Sequence, residues 1–146
     1  MNGPIVVGTD GSDTAAVAVA AATKLAKAFQ QPVHIVSAYH LQPAKGAGLP
    51  AELSVSLTPH SWVDAVLAEA AVHVRVAGVP VFTHAKIGNA AEAILDLADE
   101  VKADLIVVGN RGIDSKSRFI LGNVPSRVVH HATCSTYVVN TTGPHQ

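Results

Sequence analysis

Four aliphatic residues in a row, Leu105-Ile106-Val107-Val108, stand between Asp104 and Gly109. Side chains on a strand alternate between its faces. An unbroken aliphatic run therefore predicts a strand covered on both sides, the habit of parallel sheets clothed by helices. Pro4-Ile5-Val6-Val7-Gly8-Thr9 has the same texture and runs into the turn signal Asp10-Gly11-Ser12-Asp13. The chain is 49% hydrophobic and only 14% charged, where an average domain is about 25% charged. So few charges suit a sheet buried on both faces.

Helical patterns lie between such runs. The first is predicted from Thr14 to Gln30, capped by Ser12 or Asp13 and closed before Pro32. Val17, Ala21, Leu25 and Ala28 form its apolar stripe, with Lys24 and Lys27 outward. Val33 to Tyr39 is the second strand, and a helix from His60 to Ala77 ends at Gly78. The third strand spans Val79 to Ala85, where Pro80 favours a sheet edge. Gly88-Asn89 opens a helix to Val101, with Ala93, Leu97 and Val101 four apart. A strand from Ala103 to Gly109, a short helix from Val124 to His131 and a strand from Thr136 to Asn140 complete the order. Right-handed crossovers then predict one α/β domain over residues 1–146, a doubly wound five-stranded parallel sheet with helices on both faces. Leu41 to Pro59, rich in Gly, Pro and Ser, is long for a connection and is expected to be mobile or to cover a ligand; Thr141 to Gln146 reads as a tail.

Several function classes are disfavoured. A net charge of −1, with ten scattered basic residues, argues against nucleic acid as a partner. Three Phe, two Tyr and one Trp make a poor base-stacking platform. Cys134 has no cysteine partner, which excludes an internal disulfide and fits a reducing, cytoplasmic setting. The run Ala15 to Ala22 follows Asp10 and Asp13 and is broken by Lys24 and Lys27, unlike a signal peptide. No stretch reaches the roughly eighteen apolar residues that span a bilayer, so no membrane partner is expected. Of the eight histidines, His130 and His131 point about 100° apart on a helix. His34, His60, His73 and His84 lack an i, i+4 pairing, so all read as surface or satisfied residues. No Gly-x-Ser-x-Gly elbow is present. Trp62 reads as packing, and Asp96, Asp99 and Glu100 as a solvated helix face.

In an open parallel sheet the ligand lies beyond the carboxyl ends of the strands, where the winding reverses. Gly8-Thr9-Asp10-Gly11, Ser37-Ala38, Ile87-Gly88 and Gly109-Asn110-Arg111-Gly112 occupy those ends. Glycine lets the main chain approach a ligand closely. Gly109-x-x-Gly112 is followed after nine residues by Gly122-Asn123, at the start of the short helix. The free N–H groups and dipole of that helix end make a phosphate seat, and Arg111, Lys116 and Arg118 lie between to neutralise charge. Neither a Walker loop nor the dinucleotide fingerprint is present.

Gly109-x2-Gly112-x9-Gly122 resembles the ATP-binding signature of the universal stress proteins. The likeness extends from Val6 to Val139 through Val7-Gly8-Thr9-Asp10-Gly11-Ser12, Ala98-Asp99-Glu100 and Ala103 to Gly109. It implies an adenine-nucleotide α-hydrolase-like fold with strand order 3-2-1-4-5. It also implies a homodimer through the last strand, Thr136 to Asn140, and a role as a nucleotide-responsive stress regulator. Carried over by position, Gly8 and Thr9 pass beside the nucleotide, and Asp10 faces the ribose or a phosphate-bound Mg²⁺. Ala38 flanks the adenine and Gly88 lines the floor. Gly109, Asn110, Arg111 and Gly112 wrap ribose and phosphates, Ser115 donates nearby, and Gly122, Asn123, Val124 and Pro125 close over the phosphate tail. The family usually has Ser or Thr where Asn123 stands, so a hydroxyl for a terminal phosphate is lost. Gly109-Asn110 and Gly122-x-Val124-Pro125 are similar to a mycobacterial branch that prefers cyclic AMP. ATP or ADP is the first expectation and cyclic AMP the alternative. A slow ATPase or self-phosphorylating enzyme, and a scaffold without ligand, are the rival functions.

Overall fold

The computed structural model describes residues 1–40, 59–110 and 121–141. The expected mobile connection up to Thr58 and the tail beyond Thr141 lie outside the described residues. Five strands, β1 (Ile5–Gly8), β2 (Val33–Tyr39), β3 (Val81–Ile87), β4 (Leu105–Gly109) and β5 (Ser135–Val139), form one sheet in the order β3-β2-β1-β4-β5. Every pairing is parallel.

Four described helices cover the sheet: α1 (Asp13–Phe29), α2 (Pro59–Val76), α3 (Ala90–Val101) and α4 (Asn123–His131). The alternation along β1 and β4 decides which face each strand residue serves. Ile5, Val7, Leu105 and Val107 pack under α1 and α2. Val6, Ile106 and Val108 pack under α3 and α4, against Ile94, Leu97 and Val128. Each fully buried aliphatic side chain stabilises by roughly 1.5–3 kcal/mol. The exposed ion pairs Lys86–Glu100 and Arg127–Glu92 contribute only about 0–1 kcal/mol each. The two aliphatic layers therefore hold the fold.

The face of α1 departs from the sequence expectation. It buries Ala18, Val19, Ala22, Thr23 and Ala26, while Val17 is 42% exposed, Ala28 is exposed, and Ala21 and Leu25 are half-buried. The helix is turned by about one residue, roughly 100°. Alanines on most of its sides leave the apolar stripe ill-defined, and close approach to β1 and β4 selects the smallest side chains. Ser12 is the cap, its Oγ accepting from the Ala15 N–H at 3.1 Å.

Three strand boundaries also move. β3 begins at Val81 because the Val79 N–H closes α2 on the Val74 carbonyl and Pro80 has no N–H to give. As Pro80 foretold, β3 is an edge. β4 begins at Leu105, since the Ala103 N–H bonds Ala98 and the Asp104 N–H bonds Pro4. β5 runs one residue earlier than expected and ends at Val139. Asp99 and Glu100 are exposed, as the helix pattern implied, but partnered: Thr133 Oγ1 donates to Asp99, and Lys86 Nζ to Glu100. No helix among the described residues is long and apolar enough to cross a membrane.

Candidate functional site

The winding reverses between β1 and β4, whose following helices leave on opposite faces of the sheet. That divergence opens a hollow of about 600 Å³ above Gly8 and Gly109, counted out to the solvent. Val36, Ala38, Ala90, Ala93 and Ile94 give it an apolar wall, while Thr9, Asp10, Ser12 and Thr14 give a polar rim.

The loop after β1 satisfies itself. The Thr9 N–H donates to the Val36 carbonyl at 2.9 Å, the Gly11 N–H to Thr9 Oγ1 at 3.1 Å, and the Ser12 N–H to Asp10 Oδ1 at 2.9 Å. Gly11 takes φ +83°, and a side chain there would strike Val66, with Trp62 just beyond. Trp62 is itself largely exposed, so its ring flanks this loop and is not buried in the core. At the start of α1 the Ser12 Oγ takes the Ala15 N–H, and Asp13 adds a carboxylate to the first turn. The Asp10 carboxylate repels an anion, and suits hydroxyl donors.

The start of α4 is different. The Gly122 N–H donates to the Asn110 carbonyl at 3.0 Å, and Gly122 brings no side-chain cap. The next two amides, Asn123 and Val124, fall in the first turn and have no partner within the helix itself. Pro125, third in the helix, has no N–H. The hollow thus has the Asp10 carboxylate on one side and the Val124 amide at the start of α4 on another. A flat apolar ring, a hydroxylated sugar and an anion match that order from wall to rim to helix.

Of the residues expected from sequence, Gly8, Thr9, Asp10, Ala38, Gly109, Val124 and Pro125 line the hollow. Gly88 does not; it takes φ +121° in the turn into α3, its N–H on the Tyr39 carbonyl, and the floor is instead Ala90, Ala93 and Ile94. Gly122 and Asn123 are not among the residues that line it. Asn110 also lies outside it, its side chain committed to Thr141. Arg111, Gly112 and Ser115 lie outside the described residues. Gly8 serves packing as well, since a Cβ there would come within 2.6 Å of Ile94 Cδ1. Sequence reading missed Val36, two residues from Ala38 and so on its face. It also missed Ala90, Ala93 and Ile94, which the first turns of α3 aim inward.

Asp10 is the carboxylate that lines the hollow among the described residues. It fits Mg²⁺ carried in by phosphates, which needs one or two carboxylates and keeps its waters. No described group of three His, Cys, Asp or Glu side chains forms a resident metal centre.

The model of the universal stress protein family matches residues 1–140. Universal stress protein Rv1636 of Mycobacterium tuberculosis strain H37Rv is 36% identical over 141 residues, covering 94% of this chain and 96% of that protein. Among solved structures, a universal stress protein in complex with cAMP is 32% identical with TM-score 0.73, covering 97% of this chain and 100% of the other. The universal stress protein from Archaeoglobus fulgidus in complex with dAMP is 26% identical with TM-score 0.67, covering 94% and 97%.

Proposed function

The chain belongs to the universal stress protein family, and from that premise we propose that it binds an adenine nucleotide in the hollow between β1 and β4. One observation carries the reading: the start of α1 carries the carboxylates of Asp10 and Asp13, whereas the first turn of α4 has no acidic residue and no side-chain cap. The ligand's anion therefore has one favourable end. Its ribose hydroxyls lie at Asp10 and its base against Val36, Ala38 and Ile94. Arg111, Gly112 and Ser115 complete the phosphate side.

Asn123 lacks the hydroxyl of the usual family residue, and Pro125 withholds a third amide. A seat with few donors supports a single phosphate group, so cyclic AMP moves ahead of ATP or ADP. The cAMP complex of a relative 32% identical supports the same order. A second reading, ATP with Mg²⁺, rests on Asp10, which lines the hollow. There the ion would shield the phosphates, and Asp10 would hold one of its water or direct positions.

The working form is a cytoplasmic homodimer paired through β5, acting as a regulator with little or no turnover. Calorimetry of the purified full chain with cyclic AMP, ATP, ADP and AMP tests this directly. Binding of cyclic AMP at least tenfold tighter than ATP is expected. ATP the tighter ligand, and only with Mg²⁺ present, favours the second reading. No heat and no thermal shift with any of the four overturns both.

A further inference from the structure

His34 on β2 and His84 on β3 belong to no part of that hollow. The register sets Phe82 beside His34 and Val36 beside His84, so the two imidazoles are diagonal neighbours across the strands. His34 Nδ1 and His84 Nε2 stand 2.9 Å apart. Phe82 stacks on His34 with ring centroids 4.8 Å apart and the two histidine rings are inclined by 24°. Both histidines are half-buried and still reachable from solvent. Burial first, and then His84, holds His34 below the usual imidazole range. For His84 burial leads, Lys86 adds to it and Glu100 opposes. Neutral imidazole is the form that ligates.

An imidazole nitrogen binds a transition metal at about 2.0–2.1 Å. Two such nitrogens at 90° around one ion stand about 2.9 Å apart, whereas a tetrahedral angle separates them by about 3.4 Å. The two nitrogens, held at this distance by a hydrogen bond, already have the separation of a 90° pair on tetragonal Cu(II) or Ni(II), whereas a tetrahedral ion such as structural zinc needs them about 0.5 Å further apart. We propose that His34 and His84 form a two-histidine site for Cu(II) or Ni(II) at the β2–β3 edge, with water in the remaining positions.

Loading the site asks for small changes. Each ring swings by roughly 45°, so that both lone pairs converge on the ion and no longer face each other. The hydrogen between the two nitrogens moves to the outer nitrogen of its own ring, so no net proton is released. Lys86 opposes a nearby cation, but its ammonium is neutralised by Glu100 at 2.6 Å. Among the described residues no third His, Cys, Asp or Glu completes the set, which makes the site open and exchangeable.

The proposal is independent of nucleotide binding and is tested on the tag-free, metal-stripped full chain. Titration with Cu(II), followed by visible absorption and electron paramagnetic resonance, should show one ion bearing two nitrogen donors. His34→Gln and His84→Gln should each weaken binding at least tenfold, while the double change His130→Gln with His131→Gln leaves it unaltered. Ni(II) should bind ahead of Zn(II). Unchanged affinity in His84→Gln, loss confined to the His130/His131 variant, or Zn(II) binding more tightly than Ni(II) would each overturn it. Should a variant fail to fold, wild-type protein decides alone. Substoichiometric Cu(II) must broaden the His34 and His84 imidazole resonances before those of the other histidines.

Discussion

Asn110 Oδ1 accepts two hydrogen bonds from Thr141, one from its N–H at 3.0 Å and one from its Oγ1 at 2.8 Å. The Asn110 main chain donates to Val139 and accepts from Gly122. One residue thus ties the end of β4 to the end of β5 and to the start of α4. The amide end of the hollow and the strand proposed to join two protomers share a single fastening.

Asn110→Ala leaves the buried Thr141 hydroxyl without its acceptor. A stability loss of about 1–3 kcal/mol is expected in urea denaturation. Gly122 is seated by the main-chain carbonyl of the same residue, which the substitution keeps, so weaker nucleotide binding in calorimetry would show that the side chain holds that carbonyl in place. Full affinity in a destabilised variant would limit Asn110 to a structural part.

Gly8→Ala places a methyl within 2.6 Å of Ile94 Cδ1. Ile94 is buried and lines the hollow, so it must shift at a cost of about 1–3 kcal/mol. Adding Ile94→Val removes the offending carbon and should recover most of that loss. A double-mutant cycle with no coupling between the two sites would refute the contact.

Asn123→Ser restores a hydroxyl beside the amides of α4. ATP affinity should rise several-fold relative to cyclic AMP, since only the longer phosphate tail gains a donor. If the ratio of the two affinities stays constant in calorimetry, residue 123 does not face the phosphates.

The Cys134 thiol is pushed above its ordinary value by burial first, then by Asp104 and Asp99, with a backbone hydrogen bond opposing. A raised folded value means a stabilising contribution present below the unfolded thiol value, about 8.5, and lost as pH climbs through the folded one. Native protein at mildly alkaline pH should react with iodoacetamide more slowly than urea-unfolded protein. Cys134→Ser should flatten the alkaline fall in stability. Equal labelling rates for native and unfolded chains would contradict the placement.

β5 is an edge strand, and Tyr137 and Val138 on it are 46% and 37% exposed. An open edge with apolar side chains invites pairing with another chain, and a two-fold contact would use the same strand from each. Tyr137→Lys together with Val138→Lys should convert a dimer to a monomer in sedimentation velocity. A wild-type chain that sediments as a monomer at micromolar concentration would exclude this interface.

Residues 105–108 and 5–7 determined a sheet covered on both faces before any coordinate was known, because a strand aliphatic at every position has no side for water. Gly8, Asp10 and Gly109 were legible for a related reason: in such a sheet the strand ends at the reversal are the one open place. The face of α1 was not legible, since its alanines look alike from every side and only the approach of β1 and β4 selects among them. Nor was the role of Asn110, whose partner Thr141 lies thirty-one residues away. The same holds for the pairing of His34 with His84, fifty residues apart. Local pattern records what a segment buries; which distant groups then meet is decided by strand register and by where each helix comes to rest.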